Sequence, residues 1–132
     1  MQNFLFLAIA LFAFQMVSAQ ESTNVQDETI YYTADLEVRP EFYGGMAIFI
    51  KFIGTNYQVP DVKNLNGKVL VTFVVEKDGS LTNFKVRKDL GYGTGDEAIR
   101  VLKLSPKWKP GVLNGKNVRC AYSLPINVMG KL

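Results

Sequence analysis

Two stretches of alternating apolar and polar residues constrain this chain more than anything else in it. In GKVLVTFVVEKDGSLTNFKV, residues 67–86, Val69, Val71, Phe73 and Val75 fall on one face. Lys68, Thr72 and Glu76 fall on the other, with Leu70 and Val74 as apolar exceptions there. A period of two is the signature of a strand, because successive side chains point to opposite faces. Lys77-Asp78-Gly79-Ser80 reads as a tight turn, with Gly79 free to take positive φ. A second strand follows, with Leu81, Phe84 and Val86 as its apolar members, so the passage predicts a hairpin. In VRCAYSLPINV, Val118, Cys120, Tyr122, Leu124, Ile126 and Val128 share one face, and Arg119, Ala121, Ser123, Pro125 and Asn127 share the other. Pro125 cannot donate to a ladder, so this last strand is expected at a sheet edge.

Helical spacing appears twice. In GMAIFIKFIGTNYQVP, Met46, Phe49, Ile50 and Ile53 recur at helical intervals, with Gly54, Asn56 and Pro60 as stop signals. A helix is predicted at about 45–56. In GTGDEAIRVLKLSP, Thr94 and Glu97 have capping-box spacing, and Asp96 and Glu97 suit the positive end of a helix dipole. Ala98, Val101 and Leu102 form the expected buried stripe. Pro106 ends the helix, because the residue before proline avoids the α region.

Between that helix and the last strand lies LSPKWKPGVLNGKNV, residues 104–118, which holds the only tryptophan. If Trp108 points inward, Lys107 and Lys109 point to solvent, and Pro110-Gly111 and Asn114-Gly115 reverse the chain. The ring then closes the core where helix meets sheet, a burial worth about 2–3 kcal/mol or more. The competing reading is an exposed ring that stacks on a ligand.

The 132 residues leave room for one domain. MQNFLFLAIALFAFQMVSAQ carries an apolar run from Phe4 to Phe14 and ends in Val17-Ser18-Ala19, which fits a signal peptide cleaved after Ala19. The alternative is an uncleaved membrane anchor, although the run is short against the ~20 residues of a span. No Cys follows it, which argues against a lipoprotein. Residues 20–37 read as a polar leader, with IYYTADLEV, residues 30–38, as a weak strand, and residues 38–132 as the folded domain. Cys120 is the single cysteine, so no internal disulfide forms. There is no histidine, the commonest general base and metal ligand. Residues 20–60 carry two basic and six acidic side chains, a net of −4, and residues 61–132 carry thirteen and six, a net of +7. The basic part could meet an acidic partner or simply be a solvated face. Export argues against nucleic acid.

The order of helix, GKVLVTFVVEKDGSLTNFKV, DEAIRVL, SPKWKPG and VRCAYSLPINV resembles the C-terminal domain of TonB energy transducers, and most of all the versions common in Bacteroidetes-type bacteria. The likeness covers about residues 38–128. It implies an α+β fold, with two helices on one face of a small antiparallel sheet of about three strands. It implies a periplasmic module that grips outer-membrane receptors by strand addition, a short receptor segment (the TonB box) pairing with the last strand. Carried onto this sequence, the partner-strand residues are Val118, Arg119, Cys120, Ala121, Tyr122, Ser123 and Leu124. Two departures stand out. A full transducer has a transmembrane helix coupled to inner-membrane motor proteins and a long Pro-rich linker, and neither is visible here. A leader of about twenty residues reaches ~70 Å at most. The usual Phe-Pro-Gly-Gly also reads Phe42-Tyr43-Gly44-Gly45.

Three function classes follow. A binding module would take an extended peptide on the edge strand. A scaffold or regulatory protein would share the fold without energy transduction, with a homodimer through the same strand as one form. An enzyme would need a nucleophile with a base or a carboxylate pair. Cys120 sits on an apolar face without a histidine, and Asp96 and Glu97 are explained by the helix start. No phosphate loop or metal-ligand cluster is visible, so no catalytic residue, metal or cofactor is expected.

Overall fold

The computed structural model describes residues 28–132. The apolar N-terminal run and the cleavage site expected after Ala19 lie outside the described residues. Among the described residues no helix is long and apolar enough to cross a membrane.

The fold is α+β. In chain order it runs β1 (Ile30–Tyr32), α1 (Met46–Asn56), β2 (Asn66–Val75), β3 (Leu81–Lys88), α2 (Thr94–Lys103), β4 (Gly111–Leu113) and β5 (Lys116–Met129). The sheet order is β1-β5-β2-β3, with β4 paired to the start of β5. The pairs β2–β3, β2–β5 and β4–β5 are antiparallel, and β1–β5 is parallel. The sheet is therefore mixed and five-stranded, where about three antiparallel strands were expected. The two additional strands have three residues each. So short a strand has no alternation to read, and its pairing comes from what lies beside it.

Alternation translates directly into packing. Val69, Val71, Phe73 and Val75 are buried, and so are Leu124, Ile126 and Val128 across the β2–β5 register. They meet Phe42, Phe49, Ala98, Leu102 and Trp108 in one cluster, so both helices cover the same face. Trp108 is only 2 % exposed. It is packed edge-on against Phe49, Phe73 and Tyr122 at centroid distances of 4.9, 5.6 and 5.1 Å. Such pairs add about 0.5–1.5 kcal/mol each beyond area burial. Its indole N–H donates to Ser105 Oγ at 2.9 Å, which satisfies the one polar atom that burial would otherwise strand. Lys107 and Lys109 are exposed, as an inward Trp108 requires.

Three local expectations need correction. On α1 only Phe49 is buried, while Met46 and Ile50 are 50 % and 63 % exposed. The inward stripe is Phe49, Phe52 and Ile53, because the aromatic contacts with Phe42 set the helix rotation. The capping box of α2 does not form. Gly93, in the left-handed region at φ 76°, is the N-cap. Thr94 is buried and its hydroxyl ties the preceding loop, accepting from Leu90 N–H and donating to the Gly91 carbonyl. Glu97 instead accepts from Gln58 N–H and Arg100. Finally, Pro110-Gly111 does not reverse the chain but leads into β4. Only Asn114 and Gly115, at φ 52° and 72°, make the hairpin turn to β5. Two consecutive positive φ values are what a two-residue hairpin of the favoured hand needs.

The predicted turn at Gly79 is present, with φ +86°. Trp108 N–H donates to its carbonyl at 2.8 Å. A Cβ at Gly79 would lie 1.9 Å from the Trp108 carbonyl oxygen. The β2–β3 turn and the tryptophan segment are thus locked backbone to backbone.

Candidate partner-strand site

The seven residues from Val118 to Leu124 are contiguous on β5, and the structure divides them by what flanks them. Val118 pairs with Gly111 of β4. Arg119, Cys120 and Ala121 pair with Ile30, Tyr31 and Tyr32 of β1. Tyr122, Ser123 and Leu124 pair with Phe73, Thr72 and Val71 of β2. Their other flank meets no strand among the described residues. The edge position expected from Pro125 therefore holds for the second half of β5 and not for residues 118–121. The reason is that β1, within a stretch read as a leader or weak strand, fills that flank. Pro125 stands opposite Leu70, in the half with one neighbour, where a missing donor is tolerated.

Side-chain directions follow the alternation. Cys120 and Leu124 are buried and Tyr122 is half-buried against Trp108 and Phe73. Burial pushes the Cys120 thiol up to about 11, so at neutral pH it is protonated and a poor nucleophile. Its Sγ–H donates to the Ala121 carbonyl at 3.4 Å. Burial also raises the Tyr122 phenol, followed by the influence of Cys120, while Arg39 opposes the shift. Arg119, Ala121 and Ser123 lie on the face without helices, beside Thr72 and Val74.

Arg119 is the best-connected side chain of the seven. It forks onto Glu76, Nε to Oε2 at 2.8 Å and Nη2 to Oε1 at 3.0 Å. Its Nη1 donates to the Glu28 carbonyl at 3.1 Å and reaches the Glu28 carboxylate at 3.4 Å. The hydrogen bond from Arg119 is the main cause that holds the Glu76 carboxyl below its ordinary value, with Thr82 assisting. Charge-assisted, two-pronged pairs of this kind fix geometry as well as energy. Arg119, on β5, thus joins the residue after β2 to the approach to β1.

An open cleft of about 670 Å³ adjoins this flank, lined among others by Ile30, Tyr32, Arg39, Lys85, Arg87 and Ser123. Its lining holds three cationic side chains and no carboxylate. Lys68 and Lys88 are exposed on the same sheet face, at register positions beside Asn127 and Leu70. The positive excess of the second part of the chain is therefore concentrated in part on the helix-free face. Sequence reasoning named the β5 residues and read residues 30–38 as a weak strand, but missed Glu28, Glu76 and the pairing of β1 with β5. The visible signals were the weak strand pattern at Ile30–Val38 and the outward phase of Glu76 in the alternation that continues past β2.

The family model of the Gram-negative bacterial TonB protein C-terminal matches residues 61–127. The chain belongs to that family. The matched span takes in β2, β3, α2, β4 and most of β5, and is shorter than the 38–128 of the sequence resemblance. Among solved structures, the chain is similar to the TonB C-terminal domain of Helicobacter pylori in solution, with 23 % identity and a TM-score of 0.45. That likeness covers 65 % of this chain and 81 % of the other. No curated protein matches the sequence. In this TonB C-terminal chain, β1 and α1 lie outside the matched residues, so the strand beside Arg119–Ala121 comes from sequence that the family model does not match.

Proposed function

We propose that this chain is a periplasmic protein-binding module that pairs by strand addition with outer-membrane receptors in TonB-dependent transport. The observation that carries the reading is the unequal flanking of β5. Ten residues of β2 pair on one side, and only three residues of β1 pair on the other. From Tyr122 onward the second side has no strand neighbour among the described residues, and unpaired backbone groups template an incoming strand. Family membership supports the kind of partner, and in this reading an extended receptor segment meets Val118 to Leu124. Backbone hydrogen bonds would supply much of the affinity, with alternate side chains tuning the choice of partner. Arg119, Ala121 and Ser123 face outward and take that role, while Cys120 and Tyr122 act through the core.

Titration of receptor-segment peptides into isotope-labelled mature protein tests this. Amide shifts concentrated at residues 118–124 are expected. Shifts centred on α2, with β5 silent, would show that another surface binds. Export belongs to the same reading. Intact-mass measurement on protein from the native envelope is expected to show cleavage after Ala19, and a mass retaining residues 1–19 would favour an anchor.

A scaffold or regulatory protein without energy transduction is the second reading. β1 is the observation that favours it, because the chain supplies its own strand to the flank a receptor would use. A homodimer through that flank is one form it could take.

A further inference from the structure

We propose that β1 is an intramolecular stand-in for the partner's strand: the partner segment runs parallel to β5, displaces Ile30–Tyr32, and presents a carboxylate to Arg119 where Glu28 now sits. This rests on the strand-addition reading and adds to it a direction, a register and a charge requirement.

The geometry of β1 is that of a bound extended peptide. It pairs parallel to β5, Ile30 opposite Arg119 and Tyr32 opposite Ala121. Nothing larger than three residues is committed. Ile30 is 40 % and Tyr32 72 % exposed, and only Tyr31, opposite buried Cys120, is half-buried. Just upstream, the Glu28 carbonyl and carboxylate both take the Arg119 guanidinium. That arrangement reads an acidic residue two positions before the first paired residue. Arg119 is itself held in place by Glu76, the residue after β2, so the clamp stays aimed when Glu28 leaves.

What lies beyond Tyr32 explains how a partner can win. A turn of 3₁₀ helix at Thr33–Asp35 ends the ladder with β5 after Tyr32. The segment after it is then fastened to β4 and its approach by reciprocal bonds between Val38 and Val112 and between Glu41 and Lys109. β1 therefore stops at Ala121, and the flank from Tyr122 onward stays open. A separate peptide has no such turn. It can continue along Tyr122, Ser123 and Leu124, past the cleft lined by Arg39, Lys85 and Arg87, and form more ladder bonds than β1 does. Against it stands the tether, which holds β1 near its site at an effective concentration on the order of millimolar. The outcome is a site that is closed to weak or short segments and open to long ones with an acidic start.

The probe is a synthetic peptide with the sequence of residues 28–34, Glu-Thr-Ile-Tyr-Tyr-Thr-Ala, added to the full mature chain and followed by amide shifts. In the wild-type protein it is expected to bind weakly and to move the signals of Arg119–Ala121 together with those of β1. Tyr31→Pro breaks the cis strand and is expected to tighten the peptide by about tenfold or more, because the tethered competitor is lost. Glu28→Gln in the protein, at an exposed position that does not threaten folding, is expected to tighten it by about threefold. The same change in the peptide weakens it by a similar factor, the size of an exposed ion pair. If the peptide binds wild type and Tyr31→Pro equally, with shifts confined to 122–128 and β1 unmoved, displacement is overturned while strand addition stands. If Tyr31→Pro keeps a dispersed spectrum yet takes up no peptide at millimolar concentration, β1 is no template. Titration with receptor segments then judges the strand-addition reading on its own.

Discussion

β5 has two flanks, and they are built differently. Along one, β2 pairs from Asn66 to Val75, and its inward side chains Val69, Val71, Phe73 and Val75 are at most 1 % exposed. Along the other, β1 pairs over three residues, of which the outward Ile30 and Tyr32 remain 40 % and 72 % exposed. The backbone chemistry is the same on both sides. A ladder hydrogen bond nets only about 0.5–1.5 kcal/mol after exchange with water, and ordering a residue's backbone costs about 1–2 kcal/mol. A pairing that buries little is thus close to break-even, while one that buries a valine or phenylalanine at every second position is permanent. One strand can therefore carry a structural interface on one side and a renewable one on the other.

The permanent side breaks with the largest effect at Trp108. Trp108→Ala removes the ring on which Phe49, Phe73 and Tyr122 converge and orphans the Ser105 contact. A loss of about 3–5 kcal/mol is expected, the usual range for burying-aromatic truncation, and denaturant melts measure it. Lys107→Ala and Lys109→Ala, one residue to either side and exposed, are each expected within about ±0.5 kcal/mol. A near-neutral Trp108→Ala that abolished partner binding would instead revive the ligand-stacking reading of that ring.

A smaller effect sits at the junction of the two flanks, where Arg119 holds Glu76 on one side and Glu28 on the other. Glu76 ionises more readily in the folded protein than its ordinary value of 4.5, chiefly through the Arg119 hydrogen bond. Its contribution to stability is therefore complete above about pH 4.5 and is lost as pH falls through the lower folded value. Glu76→Gln is expected to lower stability at pH 7 by less than Trp108→Ala and to flatten the acid limb of the stability curve below pH 4.5. Melts at pH 7, 5, 4 and 3 measure both. An unchanged acid limb would show that the pair aligns Arg119 without linking it to folding.

The same contrast governs how much could be read beforehand. β2, β3, β5 and the inward Trp108 were legible because each buries a regular set of side chains, and burial leaves a period. Ala98, Val101 and Leu102 on α2 were legible for that reason. β1 was only a weak pattern, since its place depends on a vacant flank of a strand ninety residues later. The partner site inherited that gap, for the residues of β5 were identifiable but their occupant was not. Local motifs misled where tertiary contacts outbid them. Thr94 and Glu97 have capping spacing, yet Thr94 Oγ1 serves the Leu90–Gly91 loop and Glu97 serves Gln58 and Arg100. The Pro110-Gly111 dipeptide has turn chemistry, but the bonds between Lys109 and Glu41 and between Val112 and Val38 hold it extended.

The smallest expected effect is on the renewable flank and sharpens the comparison most. Tyr32 pairs with Ala121 at the end of β1 and is 72 % exposed. Tyr32→Ala removes little buried area, so global stability is expected to change by no more than about 0.5 kcal/mol. Local opening is another matter, because β1 pairs with β5 over only three residues. Hydrogen exchange separates the two, since amides can open sub-globally at free energies well below that of unfolding. In the variant, amides of Ile30–Tyr32 are expected to exchange faster, as are those of Arg119–Ala121 that face β1, while Val69–Val75 keep wild-type protection. A uniform rise in exchange across both groups, with a global loss of 2 kcal/mol or more, would mean that β1 folds as part of the core. The two flanks of β5 would then be one cooperative unit, and a partner could not take the place of β1 without unfolding the sheet it is meant to extend.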